Sequence, residues 1–105
     1  MPANGREPPV PTLTSQDIQR KMKDVPGWTL VDGRAIRKQF TFGSFPEAIS
    51  FVVRIAFHAE AADHHPDITI NWKHVALSYT THSEGGLTEK DFAGAQKADR
   101  ISWVG

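Results

Sequence analysis

Apolar positions along this chain follow two rhythms, a two-residue alternation and a three-to-four-residue recurrence, which change over at turn-forming residues. From Arg34 to Phe42, the side chains of Ile36, Phe40 and Phe42 share one side of an extended segment, and Arg37, Gln39 and Thr41 the other. Trp28–Val31 precedes this run, with Asp32-Gly33 between the two. A type I′ turn needs positive φ at both central residues, which Asp-Gly tolerates, so the pattern predicts a hairpin. Further on, Ile68, Ile70 and Trp72 alternate with Thr69 and Asn71, and Val75, Leu77 and Tyr79 alternate with Ala76, Ser78 and Thr80. That predicts a second hairpin, turning near Lys73-His74.

The helical segments announce themselves at their starts. Thr14-x-x-Asp17, Ser44-x-x-Glu47 and Thr88-x-x-Asp91 each set a hydroxyl at an N-cap and a carboxylate three residues on. Leu13 with Ile18, and Leu87 with Phe92, add hydrophobic staples. Pro46 sits in the first helical turn, where no intrahelical donor is lost. Gly85-Gly86 breaks the chain before the third helix. The resulting order is αββαββα. It predicts an α+β domain with one four-stranded antiparallel sheet and its helices packed on one face. The other face is then partly polar or covered by another subunit.

The middle segment, Ser44–Asp63, is apolar over an arc of roughly 240° when its residues are stepped as a helix, well beyond the stripe a surface helix needs. One sheet cannot bury that arc, so a homo-oligomer is expected, either a homodimer or a homotetramer. Exposed edge strands, which need pairing or blunting, point the same way.

Composition narrows the function. At 105 residues the chain is expected to form one domain, 13–105, behind a flexible Pro-rich tail, 1–12, that carries Pro2, Pro8, Pro9 and Pro11. Twelve basic residues balance twelve acidic ones. That balance argues against nucleic acid or an anionic membrane as partner, because both need a basic footprint. The absence of cysteine excludes disulfides, cysteine zinc sites and thiol catalysis. The longest apolar run, Phe51–Phe57, contains Arg54 and is too short to span a bilayer. The N-terminus lacks the apolar run of a signal peptide, so a cytoplasmic location is expected.

Candidate chemistry gathers at the end of the middle helix. On its wheel Glu47, Ser50, Arg54 and His58 fall on the polar side, while Glu60, Asp63 and His64 fall on the apolar side, toward the sheet. Carboxylates there oppose the helix dipole and lose water if buried, an arrangement that points to a site. The alternative is a helix that frays after Ala59 and leaves them in solvent. Pro66 pushes His65 out of helical conformation, so His64 and His65 can diverge around one cavity. His82 ends the last strand, and the fold can bring it to the same place. Three imidazoles and two carboxylates would make an acid–base site.

Simpler roles compete at each position. Isolated His58 and His74 read as solvated, and His64 and His65 as a helix C-cap. Asp91 reads as the capping partner of Thr88, Trp28 and Trp72 as packing aromatics, and Trp103 as a helix anchor. A zinc site built on His64, His65, His82 and a carboxylate lacks the usual ligand spacing, and no metal is expected. No serine sits in a nucleophile elbow.

The pattern Glu60-x3-His64-His65-Pro66-x5-Trp72-x9-His82-x8-Asp91 resembles the signature of the pterin-4a-carbinolamine dehydratases. The resemblance covers almost all of the chain after the tail. It includes Gly27-Trp28, Lys38-Gln39-Phe40-x-Phe42, Asp63–Asp67, Thr80-Thr81-His82 and Gly85–Phe92. Lys73-His74 and Tyr79 depart from it. The resemblance implies a hydro-lyase, working without a cofactor, that dehydrates 4a-hydroxytetrahydrobiopterin to the quinonoid dihydropterin. Its metabolic partner would be an aromatic amino-acid hydroxylase. By the same resemblance His64, His65 and His82 are the catalytic residues. Trp28, Glu60, Asp63, Thr80, Thr81, Ser83 and Asp91 would form the substrate-binding set. Imidazole titrates nearest neutrality and suits either proton transfer. His64 and His82 are therefore expected to move protons and His65 to position the pterin. Glu60 or Asp63 would orient a histidine tautomer or bind the pterin's guanidine-like edge. Some relatives act as dimerisation partners or assembly factors, which leaves a non-enzymatic role on the same scaffold as the alternative.

Overall fold

The computed structural model describes residues 11–104. Apart from Pro11 and Thr12, the expected Pro-rich tail lies outside the described residues. Helix α1 spans Ser15–Met22, strands β1 and β2 span Thr29–Val31 and Ala35–Thr41, and helix α2 spans Phe45–Ala62. Strands β3 and β4 follow at Asp67–Asn71 and His74–Tyr79, then a 3₁₀ turn at His82–Glu84 and helix α3 at Glu89–Val104.

The expected start signals close as hydrogen bonds. Thr14 Oγ1 accepts from the Asp17 amide at 3.1 Å, and Ser44 Oγ accepts from the Glu47 amide at 3.3 Å. At α3 the box is reciprocal. Thr88 Oγ1 accepts from the Lys90 amide and the Asp91 carboxylate accepts from the Thr88 amide. Asp32 and Gly33 both have positive φ, at 52° and 69°, and the Arg34 amide donates to the Val31 carbonyl. This is the hairpin that Asp-Gly foretold.

All four strands are antiparallel in the order β1-β2-β4-β3. The register aligns Ile36 with Tyr79, Phe40 with Val75, and Ile68 with Leu77 on the side that faces the helices. Ile36, Phe40, Val75, Leu77 and Tyr79 pack there against Ile18, Phe51, Ile55, Phe92 and Ala95. The opposite side carries Arg37, Gln39, Thr41, Thr69 and Asn71, all exposed. Lys38 interrupts the apolar side of β2. Its Nζ bonds Asp99 at 2.8 Å and lies 4.8 Å from the centre of the Phe40 ring, so the charge is partnered.

Three expectations and one alternative need correction. The second hairpin turns at Trp72-Lys73, one residue earlier than predicted, because Asn71 pairs with His74 and Trp72 takes a left-handed φ of 56°. Trp72 therefore leaves the strand face and is exposed. Trp103 is 89% exposed and anchors nothing among the described residues. Helix α2 does not fray after Ala59; it runs to Ala62 and stops at Asp63, whose φ of 51° makes a left-handed cap. Glu60 faces away from the sheet, because the side of α2 that packs inward is the one bearing Ala48, Phe51, Ile55 and Ala59. The outer side still holds Val53 and the strongly exposed Phe57. Among the described residues no helix is long and apolar enough to cross a membrane.

Candidate active site

The ends of α2 and β4 meet the start of α3 around one buried carboxylate. Asp91 is fully buried. Its Oδ1 lies 2.7 Å from Nε2 of His64, and its Oδ2 accepts from the Thr81 hydroxyl at 2.8 Å and from the Thr88 amide at 2.9 Å. Thr81 and Thr88 are themselves joined through their hydroxyls at 2.8 Å. A carboxylate surrounded in this way only accepts, so Nε2 of His64 donates in the pair, and in the neutral ring this leaves the lone pair on Nδ1. Position N3 of α3 also sets Asp91 at the positive end of the helix dipole.

His64 follows the left-handed cap at Asp63, where the chain turns off the helix axis and aims the ring inward. The ring stacks on Tyr79, with centroids 6.0 Å apart and planes 20° from parallel. Burial, helped by the Asp91 charge, pushes the Tyr79 phenol up to about 12. Tyr79 thus presents a neutral apolar face to the imidazole. Room for its ring comes from Gly94. A Cβ at that position would lie 2.6 Å from a Tyr79 ring carbon.

A cavity of about 330 Å³ opens between α2 and α3, with Tyr79 and His64 in its wall. His58, Lys90, Lys97 and Arg100 complete its polar lining. Burial, then Lys97, then Arg100, lower the His58 imidazole below its ordinary value of 6.5.

Apart from His64, none of the expected site residues lines the cavity. His82 begins the 3₁₀ turn one residue after Thr81, so the chain brings it beside the Asp91 network with its side chain exposed. The Thr81 and Gly86 backbones bridge across this turn and close it as a small loop. Ser83 lies exposed within it. His65 is more exposed than His64 and bonds Glu60 through Nε2 at 2.8 Å. The Thr80 hydroxyl donates to the Arg34 carbonyl at 2.6 Å. Asp63 is exposed at the helix cap. Trp28 is buried in the core, edge-on to Phe40, with its indole N–H donating to Asp99 at 3.1 Å. Among the described residues, no three His, Asp or Glu side chains are grouped so as to hold a metal ion.

Sequence reasoning missed three features of this region. Alternation puts Tyr79 on the core face of its strand, where the structure has it, but gives no sign that it stacks on a histidine. The Gly94 gap beneath it carries no local signal. The basic lining of the cavity, Lys90, Lys97 and Arg100 on α3, is concealed by the net charge balance.

The α+β domain thus sets a histidine, bonded to a buried carboxylate, in the wall of a cavity. Residues 11–101 match the profile of pterin 4 alpha carbinolamine dehydratase, and the chain belongs to that family. A pterin-4-alpha-carbinolamine dehydratase of Roseiflexus sp. (strain RS-1) is 54% identical over 85% of this chain and 95% of its own. One from Chloroflexus aurantiacus is 47% identical over 88% of this chain and 98% of its own. The crystal structure of a transcriptional coactivator/pterin dehydratase from Brucella melitensis superposes with a TM-score of 0.83 at 37% identity, covering 87% of this chain and 98% of that one. A pterin dehydratase-like RuBisCO assembly factor of the alpha-carboxysome, at 23% identity and a TM-score of 0.62, shares the fold alone.

Proposed function

We propose that this protein dehydrates 4a-hydroxytetrahydropterins to the quinonoid dihydropterin by histidine acid–base catalysis. The observation that carries the proposal is the 2.7 Å pair between His64 and buried Asp91 at the wall of the cavity. Dehydration breaks the C4a–O bond, and the departing oxygen takes a proton to leave as water. N5 gives up its proton, and the C4a=N5 double bond forms. One group must donate while another accepts. Asp91 holds His64 in the tautomer whose free Nδ1 accepts a proton, and it stabilises the imidazolium that results. His82, on the loop tied to Asp91 through Thr81, supplies the opposite transfer. His65, steadied by Glu60, positions the pterin, and Asp63, Thr80, Ser83 and Trp28 complete or support the binding surface.

The apolar outer side of α2 and the edge strand β3, with Ile68 and Ile70 partly exposed, form the surface on which a second copy packs. A pure assembly role is the weaker reading. The assembly factor resembles this chain only at the level of fold, whereas the close relatives are named dehydratases.

The test is stopped-flow absorbance of chemically generated 4a-hydroxytetrahydropterin mixed with the folded protein. Formation of the quinonoid product well above the buffer rate is expected, and it should survive chelator. No acceleration would overturn the proposal. Retention of activity in His82→Ala together with its loss in His65→Ala would overturn the assignment of roles.

A further inference from the structure

The cavity extends beyond the dehydration centre, and its far end is built of cations. His64 meets Asp91 where α2 ends and α3 begins, while His58 meets Lys97 and Arg100 further along both helices. Six residues separate His58 from His64, and six separate Asp91 from Lys97. The two helices therefore run antiparallel, and the step from Asp91 to Lys97, which lies wholly within α3, sets the cavity's ends about 9 Å apart at 1.5 Å per residue. Lys90, Lys97 and Arg100 line this space, and no carboxylate does.

The charge there is unbalanced because every acid within the two helices is engaged elsewhere. Glu47 caps the Gly43 amide and Glu60 bonds His65. Glu89 pairs with Lys21, Asp91 holds His64, and Asp99 takes Trp28 and Lys38. Among the described residues, Lys90, Lys97 and Arg100 have no such ion pair. Arg54, one turn before His58 on α2, keeps a buried Nη1 without an acceptor. A chain of zero net charge has thus concentrated its positive potential along one helix seam. Cations in a partly enclosed site, where screening by water is reduced, attract an anion more strongly than they would on an open surface.

We propose that the Lys97–Arg100 end of the cavity is a subsite for a phosphate-class anion, presented as a phosphomonoester on the side chain of the bound pterin. This deepens the dehydratase reading and rests on it for the placement of the ring near His64. The geometry suits a short side chain that carries its charge several bonds from the ring. A guanidinium and an ammonium together match a dianionic phosphate by fork and point charge. His58 adds an N–H donor, and Lys90 lies toward the ring end. A pterin with an uncharged side chain would leave these cations unpaired, so the site discriminates in favour of the ester.

The test measures binding, so that it does not depend on turnover. Calorimetry with a stable oxidised pterin bearing a hydroxylated side chain, and with its phosphomonoester, gives an affinity ratio for each protein. The wild type is expected to prefer the ester at least tenfold, and Lys97→Gln/Arg100→Gln to reduce that preference toward unity. Each protein's affinity for the uncharged pterin serves as its own reference. In the unaltered protein, inorganic phosphate should raise the His58 titration midpoint followed by NMR, an arm that survives any folding defect in the variant. Equal affinities for ester and uncharged pterin in the wild type would overturn the proposal. If phosphate moved the His58 midpoint under those conditions, the anion would be a free ion and not a substrate group, which also overturns it. Absence of dehydration by the wild type would strike the dehydratase reading, while the ester ratio still decides this one.

Discussion

Replacing Asp91 by Asn isolates the charge that orients His64 from the shape that holds it. The amide oxygen can take over the work of Oδ2, accepting from the Thr81 hydroxyl and the Thr88 amide, so the cap of α3 persists. The NH₂ group then occupies the position of Oδ1, 2.7 Å from His64 Nε2. Two N–H donors cannot face each other there. His64 must shift to the tautomer with its proton on Nδ1, which removes the lone pair that faces substrate, and the negative charge that stabilised the imidazolium is gone. Loss of a positioned general base costs about 10²–10⁴ in rate. Exchanging a charge-assisted hydrogen bond for a neutral one costs about 1 kcal/mol of stability. Single-turnover stopped flow at neutral pH should therefore show kcat lower by about 10²–10⁴ with a smaller change in KM. Thermal unfolding should remain a single transition, and nitrogen-15 shifts should report the tautomer change at His64. A folded Asp91→Asn protein within threefold of the wild-type rate would refute the role of the His64–Asp91 pair.

Tyr79 is the only tyrosine in the chain, so phenolate absorbance reports it alone. In the folded protein it should ionise near 12 where an unfolded chain ionises near 10. The raised value stabilises the fold below pH 10 by about 2–3 kcal/mol, and that stability is lost as pH rises through 10 to 12. A native titration near 10 would contradict this. Gly94→Ala should cost about 1–3 kcal/mol by overpacking against the Tyr79 ring, and should slow dehydration by displacing the surface on which His64 stacks. Unchanged melting and activity would show that the ring moves freely. Phe57→Glu should shift sedimentation toward the monomer without unfolding the domain, because Phe57 is 76% exposed in the single chain.

Most of the fold was legible because its signals are local. Asp32-Gly33 and the three hydroxyl–carboxylate starts each act within four residues, and all of them form as the sequence implied. What escaped was decided by neighbours in space. Trp72 gave no sign that it would take a left-handed conformation, which is costly for a residue with a Cβ, so the second turn was placed one position late. Glu60 was assigned to the sheet because α2 is apolar almost all around. A wheel of that kind locates an apolar arc but not which part of it meets the core. Trp28 offers the same lesson in the site. Its indole joins the Asp99–Lys38 pair in the core, a partnership across three elements that alternation alone does not encode.

In Asp91 the helix cap and the hold on His64 are one arrangement. As the third residue of α3 it must turn its carboxylate back to the Thr88 amide, and this holds the group buried and immobile at the positive end of the helix. Only one oxygen is needed there. The other is left aimed out of the helix, at the place where the left-handed cap of α2 delivers His64. The capping bond supplies the rigidity that positioning a tautomer requires, and His64 removes the cost of burying the second oxygen without a donor. A carboxylate at an N-cap box is ordinary. One whose free oxygen meets a part-buried imidazole 27 residues away couples two distant segments of the chain.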